Sequence, residues 1–482
     1  MVSHMPQTHT KQRLIQAMGS CSLALFACQA PTFEVDCASG VNDAPFQSQE
    51  TGLVFAQPDD PAAALYSPDL MPTFELQISE ENLAFLDNEP AAEIYVPGTL
   101  IYEGEEIPNV GIRYKGSVGA FVGCTANSTD ENPFDTSGAK ICPKLSMKVS
   151  FNEYNPDGRF MGLKKLLFHS MNQDESLMRE RMGYHLFREM GIAAPRANHM
   201  RLRINGEFAG VFLNLEQIDG RFTRSRFADG QGNLYKEVWP TYSPLQPKTT
   251  ERALHDSLKS NRDENPSVQK MLDFGEAVMQ SDSESAIAAI DEWMSVEYMA
   301  RWIAVDRTIR ADDGAFHFYC EAWGDCGNHN FYVYEEEEAE RLWVIPWDLD
   351  NAFVVLGPDA TGADLFLHIQ SEWNDTSTLC KPQAGAADWA PLQMPPACDP
   401  LFNRMACGYQ TPYEEAVRTF LEGPFHTAET QPLLDQWTAQ ITEAVAEAHG
   451  QNGKQLSVDE WGKALTDFQN RLEVLREEAE NP

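Results

Sequence analysis

Apolar and polar positions alternate in short runs over the first half of the chain and recur at helical spacing over much of the second. Thr73-Phe74-Glu75-Leu76-Gln77-Ile78 alternates like a half-buried strand, and Ser79 can cap a short helix through Leu86. Strands are expected near 92–96, 100–102 and 109–114, with Lys115-Gly116-Ser117-Val118-Gly119 as a turn. Over 144–151, Leu145, Met147, Val149 and Phe151 share one strand face, and Lys144, Ser146, Lys148 and Ser150 the other. Two lysines facing together suit a solvated face or a grip on phosphates. Asp174 is placed to cap a helix to Met190, with Met178, Met182, Leu186 and Met190 as its core stripe and Gly191 as its stop. The stretch 201–215 reads as a hairpin turning at Asn205-Gly206.

Helices are expected at 268–280 and 285–305, after a polar, proline-bearing loop over 239–266. Thr411-Pro412-Tyr413-Glu414 and Ser457-Val458-Asp459-Glu460 both have the form of capping boxes, so the C-terminal region should be helical. Between these regions lies a second hairpin, 328–353. Asn330-Phe331-Tyr332-Val333-Tyr334 and Leu342-Trp343-Val344-Ile345-Pro346 are rich in aromatic and β-branched residues. Pairing Tyr334 with Leu342 sets Asn330 opposite Pro346, with Asp348 at the same end, and makes 335–338 the far turn. An amide oxygen and a carboxylate meeting there could share a hard cation. The same pattern also suits a core hairpin whose polar ends only cap turns.

A chain of 482 residues, 43% hydrophobic, can hold several cores. Its formal net charge of −37 argues against a nucleic acid or anionic lipid held by bulk charge, and no nucleic-acid partner is expected. A phosphate-bearing ligand would need a local basic patch or cations. Lys11 and Arg13 precede a moderately apolar stretch that ends at Leu25-Phe26-Ala27-Cys28, the shape of an export signal (1–28) with a lipoprotein-type cysteine. Residues 29–70 read as a tether. Cys37, Cys124, Cys142, Cys320, Cys326, Cys380, Cys398 and Cys407 remain, which suits disulfides in an exported chain. Cys124–Cys142, Cys320–Cys326 and Cys380–Cys398 are near enough in sequence to close loops, although spacing alone fixes no connectivity. There is no zinc spacing, Walker loop, G-x-G-x-x-G or G-x-S-x-G, and His329 suits a structural role better than that of a base.

An ordered series of motifs then stands out. It comprises Arg113-Tyr114-Lys115-Gly116, the strand 144–151, Gly162-Leu163-Lys164-Lys165-Leu166, the stretch from Asp174 to Arg181, and Ile204-Asn205-Gly206-Glu207-Phe208. Glu216-Gln217-Ile218-Asp219, Asn233-Leu234-Tyr235-Lys236, His329-Asn330-Phe331-Tyr332 and Ile345-Pro346-Trp347-Asp348-Leu349-Asp350 complete it. The series resembles the CotH kinase family, the spore-coat-protein-H-like atypical protein kinases, over about 70–355 and the C-terminal helices. The resemblance implies an α+β, atypical protein-kinase-like two-lobed fold. Its core would span 71–355, with an N-lobe of 71–215 and a C-lobe from 216. A disulfide-bearing insertion (356–410) and C-terminal helices (411–482) would complete it.

The resemblance also implies transfer of the ATP γ-phosphate to Ser or Thr hydroxyls of a protein substrate, with Mg²⁺ or Mn²⁺. By position, Asp348 and Asn330 would hold metal. Asp313 would be the catalytic aspartate, with Asp312 the alternative because the Cys320/Cys326 segment blurs the alignment. Lys148 would contact phosphate, with Lys144 second, held by Glu180 or Glu216; Glu216 and Lys236 complete the cofactor-binding set. The family's phosphate loop is reduced to Lys115-Gly116-Ser117-Val118-Gly119, and no H-R-D precedes Asp313. A member at the bacterial surface, in the periplasm as a lipoprotein anchored at Cys28, or secreted meets little ATP. A catalytically idle surface adhesin or coat-binding protein is therefore the alternative, and a structural Ca²⁺-binding outer-membrane protein a third reading.

Overall fold

The computed structural model describes residues 60–129, 132, 134–282, 285–311, 313–320, 325–353, 380, 383–384, 392–406 and 410–480. The expected leader with Cys28, residues 29–59 of the tether, Asp312 and most of the 356–410 insertion lie outside the described residues. Residues 60–70, expected as tether, are instead packed, with Leu65 and Tyr66 buried and Asp60 paired with Arg196.

The early alternating runs form β1 (Thr73–Ile78), β2 (Val96–Tyr102), β3 (Glu105–Tyr114), β4 (Met147–Ser150), β5 (Lys165–His169), β6 (Ala197–Ile204) and β7 (Glu207–Leu215). They close a barrel in the order β1-β2-β3-β4-β5-β7-β6. Its pairs are antiparallel except the seam, where β1 runs parallel to β6 with Thr73 opposite Arg201. Asn205 and Gly206 take φ of 51° and 84°, the left-handed pair that a two-residue hairpin turn requires. Period-two alternation fills the barrel with Phe74, Leu76, Ile112, Met147, Val149, Phe168 and Met200. The same alternation turns Leu167, Leu213 and Leu215 outward into a second, larger core.

That second core is mostly helical. It gathers α2 (Arg179–Glu189), α3 (Gly220–Arg226), α4 (Glu251–Ser257), α5 (Gln269–Gln280), α6 (Ala286–Asp291) and α7 (Val296–Thr308), following α1 (Glu80–Asn88) in the first half. It ends in α8 (Pro400–Ala406), α9 (Gln410–Glu422), α10 (Thr427–Asn452) and α11 (Val458–Glu480). A three-stranded sheet, β8 (Asn233–Lys236), β11 (Phe331–Glu336) and β12 (Arg341–Pro346), is buried in it. A second small sheet joins β9 (Phe318–Cys320), β10 (Cys326–Gly327), β13 (Gln383–Ala384) and β14 (Leu392–Met394). The fold is α+β. Disulfides join Cys124–Cys142, Cys320–Cys326 and Cys380–Cys398.

Several local expectations are corrected. The hairpin pairs Glu335 with Leu342 and Phe331 with Pro346, one residue away from the expected register. Glu335 and Glu336 are strand residues, not tip: Tyr235 donates to Glu335 at 2.7 Å, and Trp343 Nε1 donates to Glu336 at 2.9 Å. These donors let two carboxylates lengthen a buried strand, which leaves 337–340 as the turn. The expected helix 285–305 is broken into α6 and α7, because Ser295 caps a fresh helix by accepting from the Tyr298 N–H. Thr411 lies inside α9 and caps nothing, whereas Ser457 and Glu460 form a reciprocal capping box. Asp174 accepts from the Arg179 N–H, but the helix itself starts only at Arg179.

Candidate functional site

The feet of the β11–β12 hairpin carry the chemistry. Asn330 and Asp348 stand just outside its two ends, and both are left-handed, with φ of 57° and 56°. Asn and Asp tolerate this conformation better than other side chains that carry a Cβ. With Phe331 opposite Pro346, strand parity no longer sets Asn330 and Asp348 on one face; both nonetheless bear on Asp313, which Asn330 bonds and whose carboxyl feels the Asp348 charge. The Asp348 N–H donates to the Tyr184 hydroxyl at 2.9 Å, which ties this turn to α2. Gly183 faces the residue after Asp348: a Cβ there would lie 2.8 Å from Leu349 Cδ1.

Asp313 follows α7 and meets the hairpin from the other side. Asn330 Nδ2 donates to both its main-chain carbonyl and its Oδ2, each at 2.9 Å. Tyr319 donates its hydroxyl to Oδ1 at 2.9 Å, and Asn351 reaches Oδ2 at 3.4 Å. Burial, assisted by the Asp348 charge, pushes the Asp313 carboxyl up to about 6 against the pull of these donors. A carboxylate so poised can accept a hydroxyl proton near neutral pH.

The barrel contributes a cation. The Lys115 N–H donates to the Ser146 carbonyl at 2.8 Å just beyond β3, and Gly116 follows at φ 149°. A Cβ at 116 would stand 2.2 Å from the Ala120 methyl, so glycine is required there. Lys115 Nζ lies 2.6 Å from His169 Nε2 and 5.7 Å from the centroid of the Trp347 ring. His169 Nδ1 in turn lies 2.9 Å from Glu180, in the first turn of α2. These contacts assign the neutral ring: Nε2 accepts from the ammonium and Nδ1–H donates to the carboxyl. Burial and then the Lys115 charge hold His169 well below its ordinary range. Burial and then Asp348 push Glu180 well up.

Carboxyl groups crowd this cluster. Asp350 is pushed well up by burial and by the Asp348, Glu180 and Asp313 charges. His169, Glu180 and Asp348 offer ligand atoms within 4.8 Å of one another. The donors on Asp348 and Asn330 are hard oxygens, and the surplus negative charge around them fits Mg²⁺ or Mn²⁺.

The other sequence-derived residues divide. Lys148 lies on β4 opposite Arg113 and Leu167, outside the barrel core, and its charge also bears on His169. Burial, then the Lys165, Lys115 and Arg113 charges, lowers its amine to about 7. Burial lowers the Lys115 amine against the pull of Asp348 and Glu180, and Lys236, which pairs with Glu237 at 3.2 Å, adds to that lowering. Glu237 accepts from the Asn330 N–H at 3.3 Å.

Lys144 does not join the cluster. The strand begins only at Met147, after Pro143 and the Cys124–Cys142 bridge, so Lys144 and Lys148 share no strand face. Lys144 donates to the Val211 carbonyl at 2.6 Å and lines a separate cavity of about 300 Å³ with Asn172, Asp174, Val445 and Gln455. Nor does Glu216 hold a lysine. It is enclosed by Arg196 at 2.7 Å, Arg226 at 2.7 Å and Arg221 at 3.7 Å, because it lies past the end of β7 where α3 brings two of those arginines back. Of the two glutamates proposed to hold the phosphate lysine, Glu180 is the one at the site. Asp312 lies outside the described residues. Sequence reasoning passed over Lys115, His169, Tyr184, Tyr319 and Trp347. Lys115 alone carried a local signal, the lysine before an obligatory glycine in the reduced phosphate loop.

The family model described as CotH kinase protein matches residues 112–482. The chain is 25% identical over 213 residues to the inner spore coat protein H of Bacillus subtilis (strain 168), covering 43% of this chain and 54% of that protein. It is 38% identical over 73 residues to an inner spore coat protein H-like protein of the same organism, covering 15% of this chain and 22% of that protein. The chain thus spans about half the length of the first relative and less of the second. A solved structure, the Helicobacter pylori proinflammatory kinase CtkA, aligns with 8% identity and a TM-score of 0.23, covering 66% of this chain and 97% of that one.

Proposed function

The chain belongs to the CotH kinase family, and on that premise we propose that it transfers the γ-phosphate of ATP to serine or threonine hydroxyls of a protein, as an exported enzyme. One observation carries the reading. Asp313, Asn330 and Asp348 converge at the feet of one buried hairpin, facing a lysine that is linked through His169 to Glu180 on α2. Phosphoryl transfer asks for that set: a proton acceptor, oxygen ligands for a divalent cation, and a fixed cation for the phosphates.

Asp313 takes the hydroxyl proton from the acceptor residue. Asn330 keeps that carboxylate oriented and, with Asp348, would hold the metal. Lys115 would neutralise phosphate oxygens, with Lys148 and Lys236 adding positive charge. Bound Mg²⁺ or Mn²⁺ would offset phosphate charge and let the nucleotide enter a protein of net charge −37. The disulfides support an oxidising destination, with Cys28 as the proposed lipid anchor.

The deciding experiment follows radiolabelled phosphate from ATP to a Ser/Thr-bearing protein, with Mn²⁺ or Mg²⁺, for wild type and Asp348→Ala. The expected result is transfer by wild type and a loss on the order of 100-fold or more in the variant. Equal transfer by both would overturn the site. Absence of metal-dependent nucleotide binding in wild type would leave the surface-binding protein as the reading.

A further inference from the structure

Asp313 is held from both sides by residues that belong to the two arms of one disulfide-closed hairpin. Tyr319, on the first arm, donates to Oδ1, and Asn330, beyond the second arm, donates to Oδ2. Among the described residues the arms pair through Cys320 with Cys326 and Tyr319 with Gly327, while the first arm also pairs with β14, Tyr319 opposite Gln393. A two-residue strand such as β10 fixes no register on its own. The bond between Cys320 and Cys326 sits directly at that pairing. The Tyr319 ring also stacks on both arms, with its centroid 4.7 Å from that of His317 and 5.5 Å from that of His329.

We propose that Tyr319 is a positioning residue for Asp313, and that the Cys320–Cys326 disulfide is what holds it there, so that full phosphoryl-transfer activity requires the oxidised chain. This rests on the reading of Asp313 as the proton acceptor. A dithiol reductant would give two electrons and two protons to the bond. The S–S bond breaks, Cys320 and Cys326 become thiols, and the reductant closes to its own disulfide. Asp313, on the segment after α7, keeps its place. The arm carrying Tyr319, still paired with β14, loses its covalent tie to the arm leading to Asn330, and the two-sided grip on the carboxylate loosens. In a thiol-rich compartment the chain is then largely idle, and it becomes competent where the bond forms.

The test uses the full chain. Wild type, Tyr319→Phe, the double variant Cys320→Ser/Cys326→Ser and the triple combination are assayed for phosphate transfer from ATP with Mn²⁺, with peptide mapping of the bond in wild type. Tyr319→Phe and the double variant should each lower kcat on the order of 10- to 100-fold, as expected for a misaligned reacting group, with KM for ATP unchanged. The triple variant should be no worse than the double, because both changes act on the same carboxylate. Dithiothreitol should lower kcat in wild type and leave the double variant where it is. A wild-type kcat in Tyr319→Phe, or in a folded double variant, overturns the proposal. If the double variant does not fold, Tyr319→Phe still decides, since it removes one hydroxyl. A wild type that transfers no phosphate fails the proposed function instead.

Discussion

One side-chain amide of Asn330 donates twice to Asp313, to its carbonyl and to its carboxylate, each at 2.9 Å. The residue expected to help bind metal therefore also fixes the residue expected to take the proton. Asn330→Asp should cost more than a metal ligand exchange would, since it replaces a donor with a second carboxylate facing Asp313. Steady-state transfer should fall on the order of 100-fold or more, and the thermal midpoint should fall as well, because two buried acceptors lose their donor.

The elevated Asp313 carboxyl predicts an acid limb. Its value of about 6 lies above the ordinary 3.8, so protonation on descending through pH 6 removes the proton acceptor. Log kcat should fall with unit slope below about pH 6 and level above it. Asp313→Asn should abolish both the limb and nearly all activity. A pH–rate profile of wild type and variant reads both.

The lysines should separate. Lys115→Met removes the cation linked to His169 and Glu180, and ATP affinity should drop on the order of tenfold or more by nucleotide titration. Lys144→Met should leave affinity unchanged, because that amine bonds the Val211 carbonyl in a different cavity.

Lys144 should instead show in the pH dependence of stability. Burial lowers its amine from the ordinary 10.5 to about 7, so between those values the unfolded chain binds more protons than the folded one. Stability contributed at this site rises as pH climbs from about 7 towards 10.5. In Lys144→Met that rise should be missing, with the largest gain over wild type below pH 7. Thermal midpoints of the pair, measured across that range, check the sign.

Glu216→Gln should cost roughly 3–5 kcal/mol, as for other buried ion pairs deprived of one partner. Burial opposes its charge, yet Arg226 and Arg196 draw the carboxyl down from 4.5 to about 2. That stabilisation is complete above pH 4.5 and fades as pH falls towards 2, so wild type and variant should converge in acid. Denaturant titrations at pH 7 and pH 3 measure the gap. Transfer per folded molecule should be unaltered, since the partners of Glu216 are Arg196, Arg226 and Arg221, none of them assigned to the transfer.

The pattern of residues showed most of what is local. Alternation marks most barrel strands but not β5, which is buried on both faces, Asn205-Gly206 marks the turn, and Asn330 and Asp348 could be placed at one end of a hairpin. It failed where a distant partner decides. No local rule says that Tyr235 and Trp343 will make buried strand residues of Glu335 and Glu336, which shifted the register by one. The resemblance points to Lys148 on a recognisable strand, whereas Lys115 sits in what reads as a turn and meets His169, which is far along the chain. Nothing local to Glu216 announces the three arginines that enclose it.

The barrel's parallel seam has a consequence for synthesis. β1 finds its second neighbour only in β6, so Thr73 must wait for Arg201. As the chain emerges N-terminus first, β1 to β5 can associate as a growing meander with two open edges, and only the β6–β7 hairpin closes both at once: β6 against β1 and β7 against β5. The nascent protein is thus most exposed to unwanted strand pairing in the interval between the emergence of His169 and Leu215, and a chaperone or translocation step acting on this chain would be needed there first.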